Sequence, residues 1–204
     1  MSTNIDFYFD FMSPFAYLAR HRLVATAAEY ACEITYKPID LAKAKLAVGN
    51  TGPSNREMPV KLKYLVTDLK RWADLYGLPF GFIGNVNTAK LNKGVFYAQQ
   101  KGRFDDYVDQ AYRLTWGESG APDDVELLRK LALSLDFDPS DFLAYVESED
   151  GESAYQASID EAISRGVFGV PTMTIDDDMW WGNDRLFMLE AYLAERFSTS
   201  KATA

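Results

Sequence analysis

The chain reads as an α/β fold in which a small sheet is interrupted by a block of helices. Three observations predict this. Residues 5–9 (Ile5, Asp6, Phe7, Tyr8, Phe9) follow a strand pattern of period two, and a helical pattern begins straight after them. From residue 60 to residue 165 apolar residues recur at three- and four-residue steps, with capping residues between the runs. Past Gly166 two short strand-like runs return before a last amphipathic helix.

Taken in order, the strand at 5–9 leads into a helix starting near Ser13. Pro14 suits its first turn, where a missing N–H costs nothing. Phe15, Leu18, Ala19 and Leu23 form its apolar stripe. Residues 33–37 are a second strand, closed by Pro38. Strand, helix and strand within about 35 residues imply a right-handed crossover and a parallel pair. Residues 49–53 (Gly-Asn-Thr-Gly-Pro) are a loop. A long helix over 60–76 follows, with Leu62, Leu65, Val66, Leu69, Trp72, Ala73 and Tyr76 on one face and Gly77 as its stop. Further helices are predicted over 89–101, 104–117, 124–135, 139–147 and 152–165, with Asp124 and Asp138 as caps. Residues 172–175 and 179–181 form a hairpin around Asp176, Asp177 and Asp178. Asn183 or Asp184 caps the final helix, and residues 198–204 read as a frayed tail.

The order β-α-β, helical block, α-β-β-α is that of a thioredoxin-like fold with an inserted all-helical subdomain. Residues 1–48 and 150–204 are assigned to the thioredoxin-like domain and 49–149 to the insertion. Redox members of such folds carry Cys-x-x-Cys at the first strand-to-helix junction. Here those positions hold Ser13 and Ala16, and the only cysteine is Cys32, so neither a dithiol nor an intrachain disulfide can form. Val170-Pro171-Thr172 stands where these folds place a cis-proline before a strand. The frame is kept and its own redox chemistry is gone, which makes Ser13 a candidate to hold the thiol of another molecule.

Bulk properties narrow the classes. A chain of 204 residues, 48% hydrophobic and 25% charged, suffices for one domain with an inserted subdomain. A net charge of −9 disfavours nucleic acid as a partner. The N-terminus lacks a basic, apolar leader pattern, and no apolar run approaches the roughly 20 residues that span a bilayer, so a cytoplasmic protein without membrane contact is expected. Neither metal-ligand spacing nor a phosphate-cradling glycine loop is present in the sequence, and no metal is expected.

Four segments carry a family resemblance: 6–18 (DFYFDFMSPFAYL), 49–53 (GNTGP) with 59–64 (PVKLKY), 166–172 (GVFGVPT), and 181–186 (WGNDRL). Over nearly its whole length the chain resembles 2-hydroxychromene-2-carboxylate isomerases and the related kappa-class glutathione transferases, which share a DsbA-like thioredoxin fold. The resemblance implies a glutathione-dependent isomerase that converts 2-hydroxychromene-2-carboxylate to trans-o-hydroxybenzylidenepyruvate in the degradation of naphthalene-type aromatics. Glutathione would be a regenerated cosubstrate, its thiolate adding reversibly to the substrate. A homodimer is implied as well. By the same resemblance Ser13 is the catalytic residue at the glutathione sulfur. Asn50, Lys61, Val170, Pro171, Asn183 and Asp184 are glutathione contacts, and Arg185 adjoins them. A transferase acting on another electrophile, or a redox-dead thioredoxin-like binding module, would use the same frame. The segment 54–58 is more polar than in the family and borders the expected acceptor pocket.

The residues permit this chemistry on physical grounds. A free thiol has a pKa of about 8.5, and the thiolate is the nucleophile. Lowering it by about two units takes roughly 2.7 kcal/mol. A hydrogen bond to a charged group supplies about 1.5–3 kcal/mol and a helix N-terminus about 0.3–1 kcal/mol, so no general base is required. The only histidine, His21, lies about two turns down the helix and is read as structural or surface. The plain reading of Ser13 is a helix N-cap, and of Asp184 a cap of the last helix. Lys61 suits a carboxylate of glutathione, Asp184 its ammonium, and the backbone of Val170 its peptide groups. For the acceptor pocket, Phe11, Tyr64, Asn87 and Trp116 are candidates, with Trp180, Trp181 and Asn92 as further ones. Cys32 is expected to be a small buried apolar residue.

Overall fold

The computed structural model of the protein describes residues 3–84 and 87–202, with side chains described through residue 198. Strand β1 (Asn4–Phe9) is central among the described residues. It pairs in parallel with β2 (Glu33–Pro38) and antiparallel with β3 (Thr172–Ile175), which in turn pairs antiparallel with β4 (Asp178–Trp181). The order β2-β1-β3-β4 is that of the thioredoxin-like frame. Helix α1 (Pro14–Glu29) makes the crossover between β1 and β2.

Period-two alternation in β1 sends its residues to two faces. Ile5, Phe7 and Phe9 join the larger core with Leu18 and Leu23 of α1 and Tyr36 of β2. Tyr8 points the other way, into a second core with Tyr155, Ile159 and Ala162 of α8 (Glu149–Ser164). Helix α9 (Leu186–Ala202) packs Leu186, Leu189 and Leu193 into the larger core. Arg22 of α1 binds Glu190 of α9 through two hydrogen bonds of 2.7 and 2.5 Å, and Thr26 adds a third at 2.9 Å. These bonds hold the Glu190 carboxyl below the usual range against the opposing pull of burial.

The insertion comprises α3 (Pro59–Tyr76), α4 (Ala89–Gln100), α5 (Phe104–Tyr112), α6 (Val125–Ser134) and α7 (Pro139–Glu147). Its caps are those of the sequence reading: Gly77 closes α3 in a left-handed conformation, and Asp124 and Asp138 accept first-turn N–H groups of α6 and α7. The helices meet closely at Gly94 of α4, where a Cβ would lie 2.1 Å from Tyr107 Oη and 2.9 Å from a Phe142 ring carbon. Arg20 of α1, 8% exposed, ties α5 to the sheet domain through Asp109 at 2.7 Å and Asp105 at 2.9 Å, and Tyr36 donates to the same Asp105 at 2.6 Å.

Several expectations are corrected. A short helix, α2 (Leu41–Ala47), follows β2 where no element was expected. It buries only Ala44, so it carries no apolar stripe, and Asp40 as its N-cap is the one local signal. The helix expected over 104–117 ends at Tyr112 and continues as a wide π-type turn, Arg113–Gly117. Helix α8 starts at Glu149, capped by Ser148, rather than at 152. In the hairpin Asp178 pairs with Ile175, so the turn is Asp176-Asp177, with Asp176 left-handed (φ 53°) and held by Arg196 at 2.8 Å. Helix α9 runs to Ala202, past the expected fraying point; residues 203 and 204 lie outside the described residues.

Gly94→Ala is expected to lower stability by about 1–3 kcal/mol, the cost of overpacking a filled core, as read by urea unfolding. A second outcome follows from the Arg22–Glu190 pair. Its carboxyl ionises more readily folded than unfolded, so its contribution is complete above the unfolded pKa and is lost as pH falls through the lower folded one. Glu190→Gln should therefore flatten the fall in melting temperature between about pH 5 and pH 3.

Candidate active site

Ser13 ends the turn that joins β1 to α1. Its backbone is extended (φ −96°, ψ 112°) and its Oγ accepts the Ala16 N–H at 3.3 Å, so it is the N-cap the sequence implies. Pro14 opens the helix behind it. The Ser13 N–H donates to the Asp10 carbonyl at 2.9 Å, which closes the turn.

Much of that turn is held from the insertion. The Trp116 indole N–H donates to the Phe11 carbonyl at 2.7 Å. Asn92 Oδ1 accepts the Phe11 N–H at 3.3 Å, and the Tyr112 hydroxyl donates to the Asp10 carbonyl at 3.4 Å. Beneath the turn sits Asp10, 3% exposed. Its carboxylate accepts from Thr88 Oγ1 at 2.6 Å, Asn92 Nδ2 at 3.0 Å, and the N–H groups of Met12 and Leu41, each at 3.1 Å. Burial pushes the Asp10 carboxyl above the ordinary carboxylate range, and the four donors pull the other way.

A second segment beside the turn comes from much later in the chain. The Val170–Pro171 peptide bond is cis, as the sequence reading expects. Thr172 faces Tyr8 across the β1–β3 pair, so Val170 and Pro171 continue past the end of β1, alongside the Asp10–Ser13 turn. The Gly182 N–H donates to the Pro171 carbonyl at 2.9 Å and brings the start of the last helical segment to the same edge. Asn183 there is 3% exposed; its Oδ1 accepts from Tyr76 at 3.4 Å, while its Nδ2 is buried with no hydrogen-bond partner among the described residues. Asp184 is exposed and pairs with the neighbouring Arg185 at 2.5 Å.

The β1–β3 register thus sets Val170 and Pro171 beside the end of β1 that leads to Ser13, and the Gly182–Pro171 bond ties the segment of Asn183 and Asp184 to the same strand. Asn50 and Lys61 stand exposed between α2 and the first turn of α3, and no hydrogen bond among the described residues links them to the Ser13 turn. Tyr64, 60% exposed, lies one turn beyond Lys61. Phe11 and Trp116 are corrected in position: at 0% and 2% exposure they belong to the core, and their polar contact secures the turn rather than an open wall. Asn92 is likewise buried, beneath the turn. Asn87 is exposed, beside residues 85 and 86, which lie outside the described residues. Trp181 is half exposed against Phe168, and Trp180 packs on Tyr192. His21 is exposed beside the Tyr76 ring.

Asp10 and Thr88 are the residues that sequence reasoning passed over. The one signal for Asp10 is a carboxylate at the end of an apolar strand, three residues before the candidate serine. Cys32 is half-buried rather than buried, with its thiol pKa raised by burial. It lies past the opposite end of α1, roughly 25 Å of helix from Ser13. Among the described residues no His, Cys, Asp and Glu cluster is arranged to hold a metal, and no helix is long and apolar enough to cross a membrane.

A strand-to-helix turn bearing a hydroxyl, set beside a cis-proline edge, places the chain in a definite class. The DSBA-like thioredoxin domain family model matches residues 4–194. The chain is 48% identical to a 2-hydroxychromene-2-carboxylate isomerase of Pseudomonas putida, covering 92% of each chain. A solved 2-hydroxychromene-2-carboxylate isomerase structure matches with a TM-score of 0.94 and 44% identity, over 98% of this chain and 99% of that one. A glutathione S-transferase kappa 2 of Caenorhabditis elegans is 26% identical over 95% of this chain and 92% of its own. The chain belongs to the DSBA-like thioredoxin family, and within it to the 2-hydroxychromene-2-carboxylate isomerases.

Trp116→Phe keeps the ring but strands the buried Phe11 carbonyl. It is expected to cost about 1–3 kcal/mol in urea unfolding, as for other buried unpaired polar groups.

Proposed function

We propose that the protein isomerises 2-hydroxychromene-2-carboxylate with glutathione as a regenerated cosubstrate. The observation that carries this is the pairing of a buried serine hydroxyl at the start of α1 with the cis-proline edge at Val170, in a site that has no thiol of its own. The family relationship supports the substrate. The kappa 2 relative supports glutathione.

The residues suit a tripeptide thiol. Val170 offers backbone groups for a short strand addition. The buried Nδ2 of Asn183 lacks an acceptor, which a carboxylate or carbonyl of the ligand would supply. Asp184 would receive the ammonium, sharing its charge with Arg185. Lys61 and Asn50 would meet the remaining polar groups from the α2–α3 side, Lys61 as a point charge on a carboxylate. Pro171 shapes the edge on which Val170 sits. When bound, glutathione would supply a thiolate that adds to the double bond of the ring-opened substrate, allowing rotation about the resulting single bond, and that leaves again by elimination, which restores the double bond and returns glutathione.

Ser13 acts on that thiolate. Its Oγ accepts from Ala16, which leaves the hydroxyl proton free to be donated outward to sulfur. The N-terminus of α1 adds its dipole at the same point. Together the two hold a thiolate at neutral pH without a base, in keeping with His21 lying on the surface. Exposed Tyr64 is offered to the acceptor, and exposed Asn87 lies on the loop leading to Thr88. A homodimer belongs to the same proposal and rests on the resemblance; a cytoplasmic location and an insertion of residues 49–149 rest on the sequence pattern.

Ser13→Ala should lower kcat roughly 10–100-fold, the size of one charged hydrogen bond. It should also abolish the ultraviolet thiolate band that glutathione acquires on binding at neutral pH. Turnover of the chromene carboxylate without glutathione, or an unchanged rate in Ser13→Ala, would overturn the reading. Accumulation of a thioether product would assign the site to a transferase instead.

A further inference from the structure

Asp10 is an expensive residue to place where it is. A buried carboxylate costs free energy that an apolar side chain of similar size would not. The groups it holds show what it is for. Its Oδ1 takes the Met12 N–H, the Thr88 hydroxyl and the Asn92 amide, and its Oδ2 takes the Leu41 N–H at the start of α2. Asn92 extends the set: beyond Asp10 it binds the Phe11 N–H, the Ile39 carbonyl at 3.4 Å and the Tyr155 hydroxyl at 2.9 Å. One carboxylate thus joins the turn before α1, the turn before α2, the loop before α4, and α4 itself. The backbone groups that it and Asn92 hold from their side chains include both N–H groups between Asp10 and Ser13.

We propose that Asp10, with Thr88 and Asn92, is the positioning group of the active site, fixing the 10–13 turn so that Ser13 Oγ and the α1 N-terminus meet the sulfur of the bound thiol. This rests on the reading of Ser13 given above. A hydroxyl that stabilises a thiolate must be held to within about 0.5 Å. Misplacement by 1 Å can cost on the order of 100-fold in rate. Two further contacts, from Trp116 and Tyr112, take the carbonyls of the same turn, so the carboxylate completes a set that reaches the turn from below and from the insertion side. The ligand's other contacts, at Val170, Asn183 and Lys61, lie on other elements. Position at the sulfur and affinity for the tripeptide are therefore separable.

Asp10→Asn keeps the shape but turns one acceptor into a donor facing donors. Thr88→Val removes the 2.6 Å contact in a nearly isosteric way, and Thr88→Ser keeps it. Steady-state kinetics at saturating acceptor should show kcat lowered roughly 10–100-fold in Asp10→Asn and roughly 3–30-fold in Thr88→Val, with KM for glutathione within about threefold of wild type. Thr88→Ser should restore kcat to within about twofold. Amide hydrogen exchange should accelerate in the peptide spanning Phe11 to Tyr17 in the first two variants alone, with the rest of the chain unchanged. Wild-type kcat in both Asp10→Asn and Thr88→Val, or equal losses in kcat and KM with faster exchange throughout the chain, would overturn the proposal. If wild-type protein shows no glutathione-dependent turnover, it is the preceding functional reading that fails. The exchange arm then decides: acceleration confined to the turn supports the positioning role, and unchanged or global exchange refutes it.

Discussion

The turn between β1 and α1 depends on hydrogen bonds that it supplies only in part. A tight connection from a central strand into a helix leaves backbone N–H and C=O groups buried, and each needs a partner. Trp116, Tyr112 and Asn92 provide them from the insertion, and Asp10 provides another from within the turn. The α4–α5 pair is in turn anchored to the sheet domain by Arg20 through Asp105 and Asp109. Removing the Trp116 indole leaves the buried Phe11 carbonyl without that donor, so the aromatic residue here acts as structure.

The electrostatics of this arrangement are uneven. The protein carries a net charge of −9, and a buried carboxylate lies directly under the site proposed to hold an anionic sulfur. The four donors that converge on Asp10 are what makes that tolerable, because their dipoles face the carboxylate and offset its field locally. In the proposed reading the thiolate would be left to the Ser13 hydroxyl and the α1 N-terminus.

Much of this was legible in the sequence where a signal is local. Pro14 behind Ser13, Gly77 after α3, Asp124 and Asp138 ahead of their helices, and the cis bond at Pro171 all stand as read. What escaped depends on distance in the chain. Helix α2 lacks an apolar face and is defined by its Asp40 cap. Phe11 and Trp116 have the composition of a binding wall, and 105 residues separate the indole from the carbonyl it meets, so periodicity could not reveal that they are core. Asp10 looks like any carboxylate at a strand end until Thr88, Asn92 and Leu41 are brought around it. The long α3 stripe was legible too, yet its first member, Leu62, is exposed, because a face can be apolar without being covered.

The way the insertion grips the turn sets a limit on modularity. Helices spliced into a loop are ordinarily exchangeable parts, since a scaffold and its insert meet at a seam. Here the seam runs through the backbone of the Asp10–Ser13 turn itself. A chimera that kept the sheet and borrowed α4 and α5 from a thiol-bearing cousin would inherit a differently shaped Ser13, however faithfully residues 4–38 were copied. The shape of the Ser13 turn is therefore held jointly by two stretches of chain, residues 10–13 and residues 92–116.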